Sequence, residues 1–330
     1  MRITILGGGG FLGRKIANRL AKEATLGGQP VTALTLFDLT EPPPLAAPFP
    51  VTTLAGDIVR LPEGAIPTGT DVVFHLAAVV SAQAEADYTL GRRVNLGGTD
   101  AVIDACRRLV GAGAKPPRVV FTSSVASFSG TQDSVLPDDA RQIPGNSYGA
   151  QKAAAELILA DASRKGFLDA VTIRLPTVIV RPGRPNKAAS SFFSGIIREP
   201  LLGLETELPV SDRFAAWVCS PRRAVDWLLH AAAMDTGPLG LDRSITPPGI
   251  STTIAELLSA LDEVRPGASA LIRRVEDKAI ADIVGTWPPA FEAKRARTLG
   301  FAPHEPVVDI IRAFIEDDLD LTRIDRARSP

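Results

Sequence analysis

Tyr148 and Lys152 stand four positions apart, and an earlier apolar segment ends in Thr122, Ser123 and Ser124. Residues four apart lie on the same face of a helix, which would make the phenol and the ammonium neighbours. A free phenol has a pKa of about 10 and is a poor base at neutral pH, but a nearby cation favours the phenolate. Such a phenol can take a proton from an alcohol whose oxygen the Ser124 hydroxyl holds.

A tyrosine and a lysine at this spacing also occur by chance on exposed helices. What favours a catalytic role here is their position just after a strand that ends in serines. We therefore predict Tyr148, Lys152 and Ser124 as the catalytic residues, with Tyr148 as the base. Tyr148 and Lys152 are also predicted to contact a nicotinamide cofactor, and Lys152 can bond its ribose.

A run of glycines follows the first apolar segment and matches both G-x-G-x-x-G and G-x-x-G-x-x-G. Glycine permits a tight turn, lets the backbone approach a pyrophosphate and lets the next helix pack close to the strand. The N–H groups that begin this helix can bind phosphate oxygens. The position between a strand and a helix therefore predicts a dinucleotide site. The predicted residues are Gly7, Gly10, Phe11, Leu12 and Gly13.

Two aspartates follow the next two predicted strands. Asp38 is placed to accept hydrogen bonds from the adenosine ribose hydroxyls, and its charge would repel a 2′-phosphate, so we predict NAD as the cofactor rather than NADP. Asp57 is placed to reach the adenine amine, although an ordinary turn aspartate would look the same in the sequence.

These residues need an alternation of strands and helices to bring them together. Apolar segments predict strands at residues 2–6, 31–37, 51–54, 71–76, 119–122 and 170–175. Helical patterns follow the glycines and cover residues 88–109 and 147–163. The alternation predicts an α/β protein with a Rossmann-type doubly wound parallel sheet. We predict an NAD-binding domain at residues 1–177. Residues 178–330 are predicted to form mostly a smaller C-terminal substrate-binding lid that partly returns to the sheet.

Composition excludes several other classes. The chain has 330 residues, is 45% hydrophobic and carries a net charge of −1, which attracts neither nucleic acid nor an anionic membrane. The distant Cys106 and Cys219 predict buried reduced thiols, and the three histidines show no metal-ligand spacing. No signal peptide pattern and no long apolar run is visible, which predicts a soluble cytoplasmic protein without a membrane span.

The combined motifs resemble the extended short-chain dehydrogenase/reductase family, which includes nucleotide-sugar epimerases and dehydratases. The segments that carry the resemblance are the glycine run, Asp38, Gly56-Asp57-Ile58, His75-Leu76-Ala77-Ala78, Val94-Asn95, Ser123-Ser124, Tyr148-x-x-x-Lys152 and Ala296-x-x-Leu299-Gly300-Phe301. The resemblance implies that these segments contact the cofactor or support the active site. It adds a homodimer formed through the helices at residues 88–109 and 147–163. The further cofactor-site residues that it implies are Ile58, Leu76, Ala77, Ala78, Asn95, Ser123, Leu175, Thr177 and Val178.

A narrower resemblance is to NAD-dependent dehydrogenases that oxidise the C2 hydroxyl of a four-carbon sugar acid. It is carried by Arg174-Leu-Pro-Thr177, by the segment from Arg181 through Lys187, and by Phe192-Phe-Ser-Gly-Ile-Ile-Arg-Glu-Pro200. Dehydratases of the wider family place an acidic pair where this chain has Val125 and Ala126, so elimination of water is not expected.

A small hydroxy acid needs a cation for its carboxylate and hydrogen bonds for its hydroxyls. The candidates for the cation are Lys187 and Arg213, and each could equally be a solvated surface side chain. The predicted substrate-site residues are Ser81, Ser124, Tyr148, Thr177, Lys187 and Arg213.

Three functions remain open from the sequence. The first is a dehydrogenase of a small sugar acid. The second is a nucleotide-sugar 4-epimerase, which would use the same tyrosine and retain its NAD. The third is a dinucleotide-sensing protein without turnover, which the presence of Tyr148 and Lys152 disfavours.

Overall fold

The computed structural model describes residues 1–131, 133–183, 190–303 and 305–327. Its strands are β1 (Arg2–Leu6), β2 (Thr25–Leu26), β3 (Gln29–Pro30), β4 (Ala33–Asp38), β5 (Val51–Ala55), β6 (Val72–His75), β7 (Arg118–Ser124), β8 (Asp169–Leu175), β9 (Thr177–Val178), β10 (Thr206–Leu208), β11 (Ala215–Cys219), β12 (Ser244–Ile245), β13 (Ile250–Thr253) and β14 (Ile272–Arg274). Its α-helices are α1 (Phe11–Glu23), α2 (Ser81–Ala86), α3 (Tyr88–Arg92), α4 (Gly98–Gly111), α5 (Ser147–Arg164), α6 (Ser191–Leu201), α7 (Pro221–Ala233), α8 (Ile254–Val264), α9 (Lys278–Val284), α10 (Lys294–Thr298), α11 (Val307–Asp317) and α12 (Leu319–Ala327).

The first compact unit comprises Met1–Ser127, Ser147–Arg174 and Val225–Ile245. Its seven-stranded sheet has the order β12-β8-β7-β6-β1-β4-β5 and is parallel. The α/β, Rossmann-type prediction is therefore confirmed. The strand order reverses between β1 and β6, and the crevice beyond the carboxyl ends of these two strands is where such sheets bind ligands.

Burial on both faces explains the continuous apolar runs of the central strands. All four residues of β6 are buried, and so are the last four of β1. Each face of a parallel sheet is covered by helices, which leaves no polar alternation in the sequence. One side packs against α4 and α5 through apolar residues that include Val102, Cys106 and Leu159. Strand β12 has only two residues, which is too short for an apolar pattern to reveal.

The helix expected over residues 88–109 is interrupted. Helix α3 passes into α4 through a π-helical turn, Arg93–Gly97. A π turn adds a residue without ending the helix, and such turns are frequent at functional sites. The apolar periodicity continues across the turn and so does not reveal it. The turn contains Asn95, which is buried.

The second compact unit comprises Phe128–Asn146, Leu175–Ala224 and Thr246–Pro330. It contains a three-stranded sheet of order β13-β11-β9 and a two-stranded sheet of β10 and β14. Its core is formed by apolar residues of α6, α8 and α11. Helix α8 begins with a capping box, in which Thr253 accepts the Glu256 N–H and the Glu256 side chain accepts the Thr253 N–H.

Both cysteines are buried free thiols, as predicted. None of the helices in the described parts of the chain is long and apolar enough to span a bilayer. Across the same residues, no group of three His, Cys, Asp or Glu side chains is arranged to hold a metal ion.

Candidate active site

The glycine turn occupies the crevice between β1 and β6. Gly7 has a φ of +91°, and a Cβ placed on it would lie 2.8 Å from the Ala77 backbone nitrogen. A Cβ on Gly13 would overlap the carbonyl oxygen of Gly7, which is why the first turn of α1 can pack directly on the loop. Because side chains are excluded on both sides, the backbone remains open to a pyrophosphate at the beginning of α1. This cradle fits the phosphates of a dinucleotide.

Asp38 holds this turn from the end of β4. One carboxylate oxygen, Oδ2, accepts the N–H groups of Gly9 at 2.9 Å and Gly10 at 3.1 Å, and Oδ1 accepts that of Leu39 at 2.7 Å. A carboxylate offers about four acceptor positions, so these bonds leave capacity for a ribose hydroxyl. The aspartate predicted to meet the ribose therefore also orders the glycine turn.

Asp57 begins the 3₁₀ turn Ile58–Arg60. Its Oδ1 accepts the Val59 N–H at 3.1 Å, and its Oδ2 pairs with Arg93 at 2.9 Å. The hydrogen bond from Val59 is the main cause that holds the Asp57 pKa below its usual value, and Arg93 adds to it. The ion pair joins this turn to the π turn that contains Asn95.

Tyr148 and Lys152 lie on one face of α5, as their spacing predicts. The Lys152 Nζ is 5.6 Å from the centre of the Tyr148 ring and 4.5 Å from that of Phe121. It donates to the Thr122 carbonyl at 2.7 Å. Ser124 ends β7, and its Oγ accepts the Ala126 N–H at 3.1 Å. Tyr148 and Ser124 are half-buried, whereas Lys152 is only 2% exposed.

A buried ionic cluster lies behind Lys152. Glu156, one turn further along α5, accepts two hydrogen bonds from Arg174 of β8, from Nε at 3.0 Å and from Nη2 at 2.8 Å. The hydroxyl of Ser123 donates to its other carboxylate oxygen. Burial lowers the pKa of Lys152 to about 7, and the negative charge of Glu156 opposes that decrease.

His75 ends β6 beside this cluster. Its Nε2 lies 3.1 Å from the Thr99 hydroxyl, and its ring packs on Phe121. Burial lowers its pKa to about 3, and the charge of Lys152 contributes to that decrease. His75 is therefore neutral at physiological pH and adds no charge behind Tyr148.

Asn95 fixes the loop after β6. Its amide accepts the Val79 N–H at 2.8 Å and donates to the Val79 carbonyl at 3.0 Å. It also donates to the Gln151 Oε1 at 2.7 Å, and Gln151 lies between Tyr148 and Lys152 on α5. The loop also contains Leu76, Ala77 and Ala78, and α2 begins just after it at Ser81. The π turn, this loop and α5 therefore form one hydrogen-bonded unit.

The remaining predicted residues belong to the second unit. Leu175, Thr177 and Val178 are buried, and Thr177 pairs with Val218 of β11. Arg213 is exposed, and no hydrogen bond or ion pair from the described residues engages its guanidinium. Lys187 lies outside the described residues.

Sequence reasoning missed two supporting residues, Gln151 and Glu156. It placed Ser123 at the cofactor site and missed its hydrogen bond to Glu156. A signal for Glu156 was available, since it stands four positions after Lys152 on the same helical face. The sequence contained no such signal for Gln151, because a glutamine on a helix is ordinarily solvated.

Comparison with known proteins gives the family. Residues 3–213 match the model of the NAD dependent epimerase/dehydratase family. The chain is 45% identical to the D-erythronate dehydrogenase of Cupriavidus necator, over 96% of this chain and 98% of that protein. It is 37% identical to the D-erythronate dehydrogenase of Haemophilus influenzae, over 97% of this chain and 100% of that protein.

A solved structure is similar throughout. The structure described as the nucleoside-diphosphate-sugar epimerase from Agrobacterium tumefaciens superposes with a TM-score of 0.92 at 45% identity, covering 97% of this chain and 95% of that one. Together these matches confirm the predicted family, its narrower resemblance and the NAD cofactor. The chain belongs to the NAD-dependent epimerase/dehydratase family and is an NAD-dependent oxidoreductase.

Proposed function

We propose that this protein oxidises the C2 hydroxyl of D-erythronate to the 2-oxo acid, with Tyr148 as the base. The observation that carries the substrate is the 45% identity to a D-erythronate dehydrogenase over nearly the full length of both chains. The observation that supports the chemistry is the Tyr148 and Lys152 pair on α5, in which Lys152 donates to the Thr122 carbonyl of β7, two residues before Ser124.

Tyr148 receives the hydroxyl proton as the C–O double bond forms at C2. Bound NAD would supply the acceptor for the hydride that leaves the same carbon, and the products would then be the 2-oxo acid, NADH and a proton. Lys152 stabilises the phenolate that Tyr148 needs for this transfer. Ser124 donates a hydrogen bond to the substrate oxygen and holds it near the phenol.

The residues proposed to hold NAD are those of the glycine turn, Asp38 and the loop after β6. Asp38 is proposed to accept hydrogen bonds from the ribose hydroxyls, and Asp57 and Ile58 are proposed to contact the adenine. The small Ala77 and Ala78 are proposed to leave space for the cofactor near Gly7, which lies close to the Ala77 backbone. Asn95 acts through the loop that it binds. Leu175, Thr177 and Val178 are proposed to meet the nicotinamide.

Recognition of the substrate carboxylate requires a cation. Arg213 is suited to this role, because its guanidinium is exposed and not engaged by the described residues. Lys187 remains the other candidate, on the strength of the sequence. Ser81, at the start of α2, and Thr177 are proposed to bind the remaining hydroxyls.

The alternative is a nucleotide-sugar 4-epimerase. The similar protein from Agrobacterium tumefaciens favours it, since that protein is described as a nucleoside-diphosphate-sugar epimerase. An epimerase returns the hydride to its substrate, whereas a dehydrogenase releases NADH at each turnover. Accumulation of NADH with a sugar acid and excess NAD therefore distinguishes the two.

The Tyr148→Phe substitution should lower kcat by about 100-fold or more and leave the affinity for NAD nearly unchanged, because only the phenol oxygen serves as base. Steady-state kinetics on D-erythronate and equilibrium NAD binding measure the two effects. The chain has only one other tyrosine, Tyr88, which is 60% exposed, so Tyr88→Phe is the matched control. Near-normal kcat in Tyr148→Phe would assign the base to another residue.

Replacing Asp38 should narrow the preference for NAD over NADP. Asp38→Asn keeps an oxygen for the N–H groups of Gly9 and Gly10 and removes only the charge, whereas Asp38→Ala also loosens the turn. Both variants should narrow the NAD to NADP ratio of kcat/KM by about tenfold to a hundredfold, the scale of one charged hydrogen bond. Only Asp38→Ala should weaken the binding of both NAD and NADP. An unchanged ratio in both variants would remove Asp38 from the ribose site.

The substrate proposal predicts strong discrimination between D-erythronate and erythritol, the alditol without the carboxylate. Wild type should oxidise the acid and scarcely act on the alditol. Arg213→Ala and Lys187→Ala identify the anchor, because loss of the charge-assisted contact should raise KM for the acid about tenfold or more without changing NAD binding. Equal wild-type rates on both compounds would disprove carboxylate recognition.

We also propose that the protein is a homodimer that associates through α3, α4 and α5. Tyr88 on α3 and Leu157 on α5 are large apolar side chains with 60% and 70% exposure. Apolar side chains that are exposed in one copy are removed from water when their helices pack against a second copy, which favours association. Sedimentation should give a dimer for wild type and a shift towards monomer for Leu157→Glu. A monomeric wild type would refute the proposal.

A further inference from the structure

The carboxylate of Glu156 is buried one helical turn beyond Lys152. Glu156 is 2% exposed, and Lys152 is equally buried. Its Oε2 accepts both hydrogen bonds from Arg174, and its other oxygen accepts the Ser123 hydroxyl. Three elements thus meet at one carboxylate. These are α5 with Tyr148, β7 with the neighbouring Ser124, and β8.

The charged and titratable groups around Lys152 come from three elements. Helix α5 contributes Glu156 and Tyr148, β8 contributes Arg174, and β6 contributes His75, which is neutral. At the beginning of α5, the exposed Glu85 of α2 accepts the Ser147 N–H at 2.8 Å. Strand β7 contributes a carbonyl and an aromatic ring but no charge. Within the described residues, Glu156 is the buried carboxylate whose charge acts on Lys152.

We propose that Glu156 is a positioning residue for the reaction: its buried charge keeps Lys152 in the ammonium form, and the ammonium keeps the Tyr148 phenol able to release its proton. This inference rests on the proposed role of Tyr148 as base. It assigns to Glu156 an electrostatic task beyond its ion pair with Arg174.

The physical reason is the cost of burying an uncompensated cation. An ammonium removed from water tends to lose its proton unless a carboxylate stabilises it. Burial already lowers the pKa of Lys152 to about 7 with Glu156 in place. Without the carboxylate, Lys152 and Arg174 would remain as two buried positive groups. Lys152 would then become neutral at physiological pH and would no longer stabilise the Tyr148 phenolate.

The test is a titration of Tyr148 itself. The chain contains two tyrosines, so a Tyr88→Phe background leaves Tyr148 as the one phenol that contributes a phenolate absorbance. In this background, Glu156→Gln keeps the side-chain shape and an acceptor for Arg174 while removing the charge. We expect the phenolate midpoint to rise by about one to three pH units, the range for loss of one neighbouring charge. The acid limb of the kcat/KM profile should move up by the same amount.

Arg174→Met is the matched control. It breaks the same buried ion pair but leaves the Glu156 carboxylate beside Lys152, so the Tyr148 midpoint should not rise. If Glu156→Gln alone does not fold, the double variant Glu156→Gln/Arg174→Met removes both charges of the pair, so that no unpaired charge stays buried. This double variant should still raise the Tyr148 midpoint. An unchanged midpoint in the folded variant without the Glu156 charge overturns the inference. An equal rise in Arg174→Met also overturns it, because packing and not charge would then be responsible.

The titration requires neither substrate nor cofactor. A raised midpoint together with no oxidation of any sugar acid would leave this inference standing and refute the proposed substrate. Oxidation of D-erythronate with an unchanged Tyr148 midpoint in the Glu156→Gln variant would support the proposed substrate and refute this inference.

Discussion

The burial of the Lys152 ammonium is the constraint on which the candidate site depends. A cation removed from water must find hydrogen-bond acceptors and a countercharge, or it becomes neutral. Here the acceptor is the Thr122 carbonyl and the countercharge is Glu156. Both partners are placed by the parallel sheet, since Thr122 lies in β7 and the helix that follows this strand carries Lys152 and Glu156. A change in the register of α5 against β7 would separate the ammonium from its acceptor and would move Tyr148 away from the end of β7.

The same sheet explains why the candidate cofactor residues lie at the same edge as the candidate catalytic residues. In a parallel sheet all strands present their carboxyl ends at one edge, so the loops after β1, β6 and β7 are neighbours. These loops carry, in order, the glycine turn, the alanines and the serines. The close approach of Gly7 to Ala77 shows that the first two are packed against one another with no space for a larger residue. The glycine at position 7 thus meets a steric requirement of the fold, and the small residues at this edge are those proposed to border the cofactor.

The sequence predicted the parts of the site whose chemistry and spacing coincide. Helical spacing placed Tyr148 and Lys152 together, and apolar runs located the central strands to within about two residues. It did not predict the π turn, because its apolar pattern continues without a break, nor β12, because two residues carry no pattern. It did not predict the bond between Asn95 and Gln151 either, since a contact between distant segments depends on how the helices pack. Glu156 was predictable in position on its helix but not in function, because only its burial beside Lys152 distinguishes it from a surface glutamate.

The residues that bind the substrate are difficult to predict from the sequence for a different physical reason. Several arginines are engaged by other residues of their own unit. Arg174 binds Glu156, and Arg198 binds Glu199 and the backbone carbonyl of Arg181. The Arg181 guanidinium in turn donates to the Val178 carbonyl and to the Ser190 hydroxyl. A guanidinium engaged in this way has little capacity left for a ligand. An anchor for a carboxylate must therefore come from a cation that the fold leaves accessible, and of Arg181, Arg198 and Arg213 in the second unit, Arg213 is the one that meets that condition.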